Sequence, residues 1–375
     1  MSKPELSIIL PCYNEQDNIP HVVGRFSPFW PEINFELVMV NNGSSDNTDE
    51  VLESLMKDHS FIRLVRIEEN IGYGHGIFTG LKEAQGEILA YSHADIQTPP
   101  EDVIKAFHYF KKSSSNGQTL VKGLRINRRE EEQFMTKWLQ RISSLILGYP
   151  LKDINGQPKM FPKSFLKKLE HSPVDFSFDV FVMYKALQAG YEINTFPVDF
   201  GERIHGESKW SASIFKKYRT ILGYLKNIMA ISIKNFNDEH NPIKQFAKFC
   251  VVGGFGASVN YGIFYLSYKF LNIHYVAASL SGFFIAAFAI FLFNREWTFQ
   301  VRHGKISKQF AQFMALMVIS FTANGLSIYL FTDIIGLRAE ISQLLTMAIT
   351  TMINFIGSKY WVFRHKLNHE KFIVE

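Results

Sequence analysis

The chain has 375 residues, 40 Lys plus Arg against 35 Asp plus Glu, a net charge of +5 and two cysteines. That length suits two ordinary domains, the modest charge excess argues against a nucleic-acid partner, and two cysteines exclude a disulfide-stapled secreted scaffold. The averages conceal a division: up to about residue 236 the chain is mixed and charge-rich, and from residue 249 it contains long stretches without Lys, Arg, Asp or Glu.

The opening Met1-Ser2-Lys3-Pro4 runs straight into an apolar stretch, without the basic, apolar and small-residue succession of a signal peptide. The first half is therefore expected to be made and kept in the cytosol, with Cys12 and Cys250 unpaired. Residues 6–10 and 36–40 are short apolar or β-branched runs and predict strands; 46–56 and 74–85 predict helices, and 87–91 another strand. Pro99-Pro100-Glu101-Asp102 opens a further helix, proline being tolerated in a first turn. Residues 119–123 and 193–198 complete the strands. Such alternation implies an α/β sandwich on a mainly parallel sheet, in which ligands bind beyond the carboxyl ends of strands.

Polar strings fall at those ends. Pro11-Cys12-Tyr13-Asn14-Glu15 follows the first strand, Asn41-Asn42-Gly43-Ser44-Ser45-Asp46 the second, and His93-Ala94-Asp95-Ile96-Gln97 the strand ending at Ser92. Each alone is ordinary turn composition; their recurrence at one sheet edge is the signal. Asn70-x-Gly72-x-Gly74-x-Gly76, Gly123-Leu124-Arg125, Asp153-Ile154-Asn155-Gly156 and Arg203-Ile204-His205-Gly206-Glu207-Ser208-Lys209-Trp210 follow. Over residues 6–210 these strings resemble the family 2 glycosyltransferases of GT-A fold. The branch they resemble is that of the polyprenyl-phosphate sugar synthases, the dolichyl-phosphate mannose synthase type, and the final string is the most discriminating.

The resemblance implies inverting transfer of one sugar from a nucleoside-diphosphate sugar to a polyprenyl phosphate of undecaprenyl or dolichyl type. The reaction would take place at the cytosolic membrane face and make a lipid-linked sugar donor for glycan or cell-surface polysaccharide assembly. It implies that Pro11, Tyr13, Asn14, Glu15, Asn42 and Gly72 bind the nucleotide. Asp95 and Gln97 would hold Mg²⁺ or Mn²⁺, with His93 left open as a further ligand; oxygen ligands suit such hard ions. Arg125, Arg203 and Lys209 would hold the diphosphate and, with Ser208, the acceptor phosphate, since guanidinium forks match phosphate oxygens. A lipid phosphate is already ionised near neutral pH, so the nucleophile needs no side chain, and catalysis reduces to positioning and electrostatics. Two departures stand out. The family usually carries Asp-Asp or similar before Gly43, whereas this chain has Asn41-Asn42, which leaves the nucleotide open. The family's Asp-x-Asp is His93-Ala94-Asp95 here, one carboxylate and an imidazole able to coordinate.

Phe134, Met135, Trp138, Leu139, Ile142 and Leu145 form an apolar stripe at helical spacing, and Arg128, Arg129, Lys137 and Arg141 around it are candidates for an acceptor-loop cation. From Ile214 a second stripe, Phe215, Tyr218, Ile221, Leu222, Leu225, Ile228 and Met229, is interspersed with Lys216, Lys217, Arg219 and Lys226. Its position just before the apolar half predicts a helix lying in the membrane interface.

Four windows, residues 249–268, 275–294, 310–331 and 341–358, carry no charged side chain and are long enough to span a bilayer. Arg295, Arg302, Lys305 and Lys308 link the second and third windows, and Lys359, Arg364, Lys366 and Lys371 follow the fourth, whereas the opposite links hold Lys269 and Arg338. The cation-rich side is the cytosolic one, so both chain ends are expected there. An internal repeat runs at an offset of 64: Gln245-Phe246-Ala247, Phe249, Asn260, Tyr265-Leu266, Trp297 and Phe299 recur as Gln309-Phe310-Ala311, Phe313, Asn324, Tyr329-Leu330, Trp361 and Phe363. Each half reads as a helical hairpin closing in an interfacial Trp-x-Phe, and Asn260 and Asn324 fall at matching depth, suited to interhelical hydrogen bonds. Residues 244–365, with Lys248-Phe249, Gly253-Gly254, Asn294-Arg295-Glu296-Trp297-Thr298-Phe299 and Tyr360-Trp361-Val362-Phe363, resemble the GtrA-like polytopic family, which is linked to handling polyprenyl-phosphate sugars.

The expected layout is thus a GT-A head over 1–210, a juxtamembrane stretch over 211–243, a four-helix transmembrane domain over 244–366 and a tail over 367–375. Self-association stays open. One rival reading is a processive polysaccharide synthase, whose Gln-x-x-Arg-Trp has its nearest match in Gln133 to Trp138, at the wrong spacing and without the Arg. The other is a degenerate head regulating a lipid-sugar flippase, kept alive by Asn41-Asn42 and His93.

Overall fold

The computed structural model describes residues 3–30, 32–113, 117–126, 130–199, 214–301, 303–364 and 370–372. Arg128, Arg129, Arg203, Ser208 and Lys209 lie outside the described residues. The chain divides into two units, Met1–Lys234 with Asn368–Glu375, and Asn235–Leu367.

In the first unit β1 (Leu6–Cys12), α1 (Ile19–Phe26), β2 (Phe35–Asn42), α2 (Thr48–Asp58), β3 (Ile62–Ile67), α3 (Tyr73–Glu83), β4 (Ile88–Tyr91) and α4 (Pro100–Ser113) alternate. They are followed by β5 (Thr119–Ile126), α5 (Glu130–Leu147), β6 (Lys159–Pro162), α6 (Phe178–Gln188), β7 (Glu192–Asp199) and α7 (Ile214–Lys234), and the chain's end supplies β8 (Glu370–Phe372). The strands form one sheet in the order β3-β2-β1-β4-β6-β5-β7-β8, in which β6 is antiparallel to both neighbours and the other pairings are parallel. A strand covered on both faces is largely apolar, and β2 is buried at every position, its polar residues at the ends. On α1, Ile19, Val22, Val23 and Phe26 recur at helical spacing. They join Leu6, Ile8, Leu10, Leu37 and Met39 of the sheet in one core.

Because β1, β2, β4 and β5 run parallel, their carboxyl ends share one edge, and antiparallel β6 brings its amino end, Lys159, to the same edge. The strand expected over 119–123 continues to Ile126, so Arg125 stands within β5. The stretch expected as a tail pairs with β7 as the sheet's last strand, and α7 belongs to the first unit.

The second unit holds α8 (Pro242–Lys269), α9 (Tyr275–Phe293), α10 (Ile306–Tyr329) and α11 (Ala339–Gly357), four helices long and apolar enough to cross a membrane. Asn241 starts α8, its side chain accepting from the amides of Ile243 and Lys244. α9 and α11 each end in a π-helical turn, Asn294–Thr298 and Ser358–Val362, at the same 64-residue offset. The repeat is visible in the packing. Phe246 meets Phe355 at 5.1 Å between ring centroids and Phe310 meets Phe291 at 5.2 Å; Phe249 meets Phe355 at 5.6 Å and Phe313 meets Phe291 at 5.7 Å. Phe299 stacks on its own counterpart Phe363 at 5.3 Å. The two hairpins therefore build one aromatic core from equivalent positions. Asn260 abuts Gly282, where any β-carbon would lie 2.6 Å from the asparagine. Between α10 and α11 the polar contact is Ser320 to Asn354 at 2.6 Å.

Candidate active site

The loops after β1 and β2 are stitched together. Asn14, in a left-handed conformation, donates its amide to Ser44 Oγ at 3.1 Å and accepts the Ser45 amide on Oδ1 at 2.8 Å. The Glu15 amide donates to Thr48 Oγ1 at 3.0 Å, and Glu15 Oε2 accepts from Asn18 at 2.6 Å. Pro11 is half-buried near the end of β1, and Tyr13 is exposed just beyond the strand. Asn41 donates to Asp49 at 2.9 Å and accepts the Ser44 amide. Asn42 donates to Asn70 Oδ1 at 3.3 Å and to the Gly72 carbonyl at 3.2 Å, while its own Oδ1 is buried without a partner among the described residues. The structure thus gathers Pro11, Tyr13, Asn14, Glu15, Asn42 and Gly72 at one end of β1 and β2. Cys12 between them is buried, and burial pushes its thiol pKa up, so it is no nucleophile.

Gly72 precedes α3 with φ of 146°, and a β-carbon there would lie 2.4 Å from the Val174 carbonyl oxygen. The glycine string is therefore pressed against the segment before α6, which also receives the His75 amide at 3.0 Å. At the next helical position Tyr73 stacks between His93 (5.6 Å) and Phe176 (5.3 Å). His93 is half-buried, and this enclosure lowers its pKa, which keeps the ring neutral.

Beyond β4 the chain bends. Ile96 is left-handed, rare for a β-branched residue, and the turn it makes returns the Gln97 amide to Asp95 Oδ1 at 3.2 Å. Asp95 is buried at this edge. Below it lies a polar cluster that the sequence strings did not reveal. Asp179, in the first turn of α6, accepts from Tyr91 Oη at 2.9 Å, from Gln157 Nε2 at 3.0 Å and from the fully buried Lys159 ammonium. Gln157 also reaches Tyr73 Oη at 3.3 Å, and its Oε1 is buried without a partner among the described residues. Arg125 is clamped by Asp153 through Nε at 3.0 Å and through its backbone amide at 2.8 Å. Burial alone would raise the Asp153 carboxyl, but Lys122 and Arg125 together outweigh it and hold the pKa at about 2. Gly123 permits this arrangement: a β-carbon there would lie 2.1 Å from the Gln157 carbonyl oxygen. The signal for the missed residues was a charge in an apolar setting, Lys159 opening β6 and Asp179 within the otherwise apolar start of α6.

Among the described residues no group of three or more His, Cys, Asp or Glu side chains is placed to hold a metal ion by itself. A hard divalent cation does not need one at a nucleotide site, where one or two carboxylates suffice and substrate phosphates and water complete the shell. Asp95 at the carboxyl edge, with Gln97 behind its left-handed turn, fits that donor set.

α5 and α7 lie together, Ser143 Oγ and Tyr224 Oη at 3.2 Å and Ser232 Oγ donating to the Ile146 carbonyl at 3.0 Å. Burial pushes the Tyr224 phenol up to about 12. Phe134, Trp138 and Leu145 of α5 and Leu222, Met229 and Ile233 of α7 are exposed, with Lys137, Arg141 and Lys226 exposed among them.

Residues 7–170 match the family model described as glycosyl transferase family 2, and residues 248–363 match that of the GtrA/DPMS transmembrane domain. The chain carries a family 2 glycosyltransferase domain and a GtrA/DPMS transmembrane domain. Its mixed α/β head is thus the GT-A-type domain, and its four apolar helices make it a membrane protein. The dolichol-phosphate mannosyltransferase of Pyrococcus furiosus is 25% identical over 370 residues, 96% of this chain and 98% of that protein. An uncharacterized glycosyltransferase of Synechocystis sp. is 27% identical over 216 residues, 55% of this chain and 64% of the relative. Among solved structures, the mannosyltransferase PcManGT of Pyrobaculum calidifontis, in complex with GDP-Man and Mn²⁺, is 17% identical, with 96% of this chain and 88% of that one covered and a TM-score of 0.45.

Proposed function

We propose that this glycosyltransferase moves a single sugar from a nucleoside-diphosphate sugar to a polyprenyl phosphate, with inversion, at the cytosolic face of the membrane. The observation that carries this reading is the state of the carboxylates beneath the mouth. The Asp153 carboxylate is taken up by Arg125, with the Lys122 ammonium on its backbone carbonyl adding charge nearby, and Asp179 by Lys159, Tyr91 and Gln157. Neither is placed to take a proton from a hydroxyl acceptor, whereas an acceptor phosphate arrives ionised and needs no base. The full-length relative, named as a dolichol-phosphate mannosyltransferase, supports the same acceptor class.

In this reading a phosphate oxygen of the acceptor forms a bond to the anomeric carbon as the bond to the nucleoside diphosphate breaks. Asp95 and Gln97 would hold Mg²⁺ or Mn²⁺, which neutralises charge on the departing diphosphate. Pro11, Tyr13, Asn14, Glu15, Asn42 and Gly72 line the nucleoside end, and Arg125, with Arg203, Ser208 and Lys209, binds phosphate. Tyr73 and His93 brace the mouth by stacking. The outward apolar faces of α5 and α7 rest on the bilayer, α7 ending seven residues before α8 begins. The cations between α9 and α10 and after α11 support a cytosolic location for both chain ends.

The test is incubation of the full chain with a panel of labelled nucleotide sugars, polyprenyl phosphate and Mg²⁺ or Mn²⁺. A lipid-soluble product bearing one sugar is expected. A polymer, or no product from any donor, overturns the reading.

A further inference from the structure

The two hairpins of the membrane unit carry the same polar device, completed in one and open in the other. Gln309 donates through Nε2 to the His303 carbonyl at 3.1 Å, and its Oε1 accepts from Arg295 Nε at 3.0 Å. At the 64-residue offset Gln245 donates through Nε2 to the Glu239 carbonyl at 2.9 Å, and Lys359 occupies the place of Arg295. Here the correspondence stops. Among the described residues Gln245 Oε1 is buried and accepts nothing, and the Lys359 ammonium reaches the His240 carbonyl at 3.5 Å and lies 5.6 Å from the centroid of the Tyr360 ring.

Lys359 is only 9% exposed. Three neighbouring cations have anions: Lys244 and Lys248 share Glu239, and Arg295 meets Glu296. The carboxylate facing Lys359 is Asp238, which acts on it from beyond ion-pair reach and accepts the His240 amide at 3.0 Å; the His240 ring lies 3.8 Å from it. A buried ammonium without a direct counter-ion is unfavourable unless something pairs with it. Asn294, wholly buried, and the Thr298 hydroxyl are at the same end of the unit, and their side chains too are without hydrogen-bond partners among the described residues.

We infer that Lys359, with Gln245 as its acceptor, forms a phosphate-binding site in the membrane unit, apart from the residues of sugar transfer. An ammonium has three protons to donate. His240 takes one, Gln245 Oε1 takes the second as Gln309 does from Arg295, and the third serves an anionic oxygen. The lysine sits in the turn that ends in Trp361-x-Phe363, and such aromatics favour the headgroup zone. The phosphate met at that depth belongs to a lipid headgroup or enters free from water.

The full chain in vesicles, titrated with brominated-chain phosphatidic acid against brominated phosphatidylcholine, reports binding by quenching of tryptophan fluorescence. The wild type should prefer phosphatidic acid roughly tenfold, the yield of one charge-assisted hydrogen bond. Lys359→Arg should keep the preference and Lys359→Gln should lose it, with the melting temperature as a check on folding. Gln245→Leu, which leaves the lysine in place, should weaken the preference. Inorganic phosphate that displaces the quencher assigns the site to free phosphate; failure to displace assigns it to the headgroup. Equal preference in wild type and in either Lys359→Gln or Gln245→Leu overturns the inference. Sugar transfer by Lys359→Gln should match the wild type, so loss of this site and failure of the transfer reading are separate results.

Discussion

Asp179→Asn separates a structural aspartate from a catalytic base. In the wild type the carboxylate compensates the Lys159 ammonium, which has no exposure to solvent. An asparagine can still accept from Tyr91 and Gln157, so the loss is chiefly the charge. Breaking a buried pair by removing one partner costs about 3–5 kcal/mol, because the remaining charge is stranded. For a unit of this size that corresponds to a fall in melting temperature of roughly 6–20 °C. The double variant Lys159→Met with Asp179→Leu removes both charges and should recover most of the loss, since apolar replacement of a whole buried pair is often neutral or favourable. Thermal unfolding of the full chain in detergent, for both single variants and the double, measures this directly. A general base predicts a different pattern, in which turnover collapses while the melting temperature stays put. If Asp179→Asn melts within about 1 °C of the wild type, the stranded-charge argument fails, together with the inference that this carboxylate is unavailable for proton transfer.

Asp95→Ala should abolish transfer at any practical Mg²⁺ or Mn²⁺ concentration while His93→Phe, which keeps the stack on Tyr73, leaves the Mn²⁺-to-Mg²⁺ activity ratio unchanged; a shifted ratio would make His93 a ligand. Asp153 has a folded pKa of about 2 against 3.8 for the free group. A depressed carboxylate stabilises fully above its unfolded value, and that contribution, about 2 kcal/mol, is lost as pH falls from near 4 through 2. The stability gap between wild type and Asp153→Asn in denaturant titrations should therefore narrow over that window, and a constant gap refutes the assignment. Gly72→Ala should cost at least about 1–3 kcal/mol in a urea titration, since the position combines positive φ with a backbone contact a methyl cannot clear; a neutral effect would show that the loop can yield.

The parts of the fold legible in the sequence were those with one-dimensional signals. β1, β2 and β4 are apolar runs followed by polar strings, and the spans are uncharged windows. β3 is hidden because Arg63 and Arg66 interrupt it. They are tolerated on an edge strand, where Arg66 pairs with Asp49 and Glu53 and Arg63 with Glu36. β6 is four residues long, opens on a lysine and closes on a proline. β8 pairs residues some 180 positions apart, and no local pattern announces such a contact. The motif residues at strand ends were visible because each lies beside its strand. Lys159, Asp179 and Gln157 were not, since the segment holding Gln157 and Lys159 meets Asp179 of α6 and Tyr91 of β4 only in the folded molecule. The membrane repeat was read from matched letters, and its chemistry extends to unmatched ones: Arg295 with Lys359 shares the offset but not the residue type.

The departures from the family strings acquire local reasons that weaken the reading of a degenerate head. Asn41 donates to Asp49, which is also held by Arg66. An aspartate at position 41 would set two carboxylates about 3 Å apart, a repulsion that one exposed arginine offsets poorly. Asn42 donates to two acceptors, the Asn70 side chain and the Gly72 carbonyl. An ionised aspartate there has no proton to give and would face both lone pairs. His93 similarly fills a place in a three-ring stack with Tyr73 and Phe176 that a carboxylate could not. Each substitution is thus matched by residues elsewhere in this chain: Asp49 with Arg66, Asn70 with the glycine loop, and Tyr73 with Phe176. A head losing its activity has no need for compensated changes at three places on the same edge, and Asp95, the carboxylate proposed for the metal, is retained. Asn41-Asn42 and His93 are better understood as one enzyme's version of a working site.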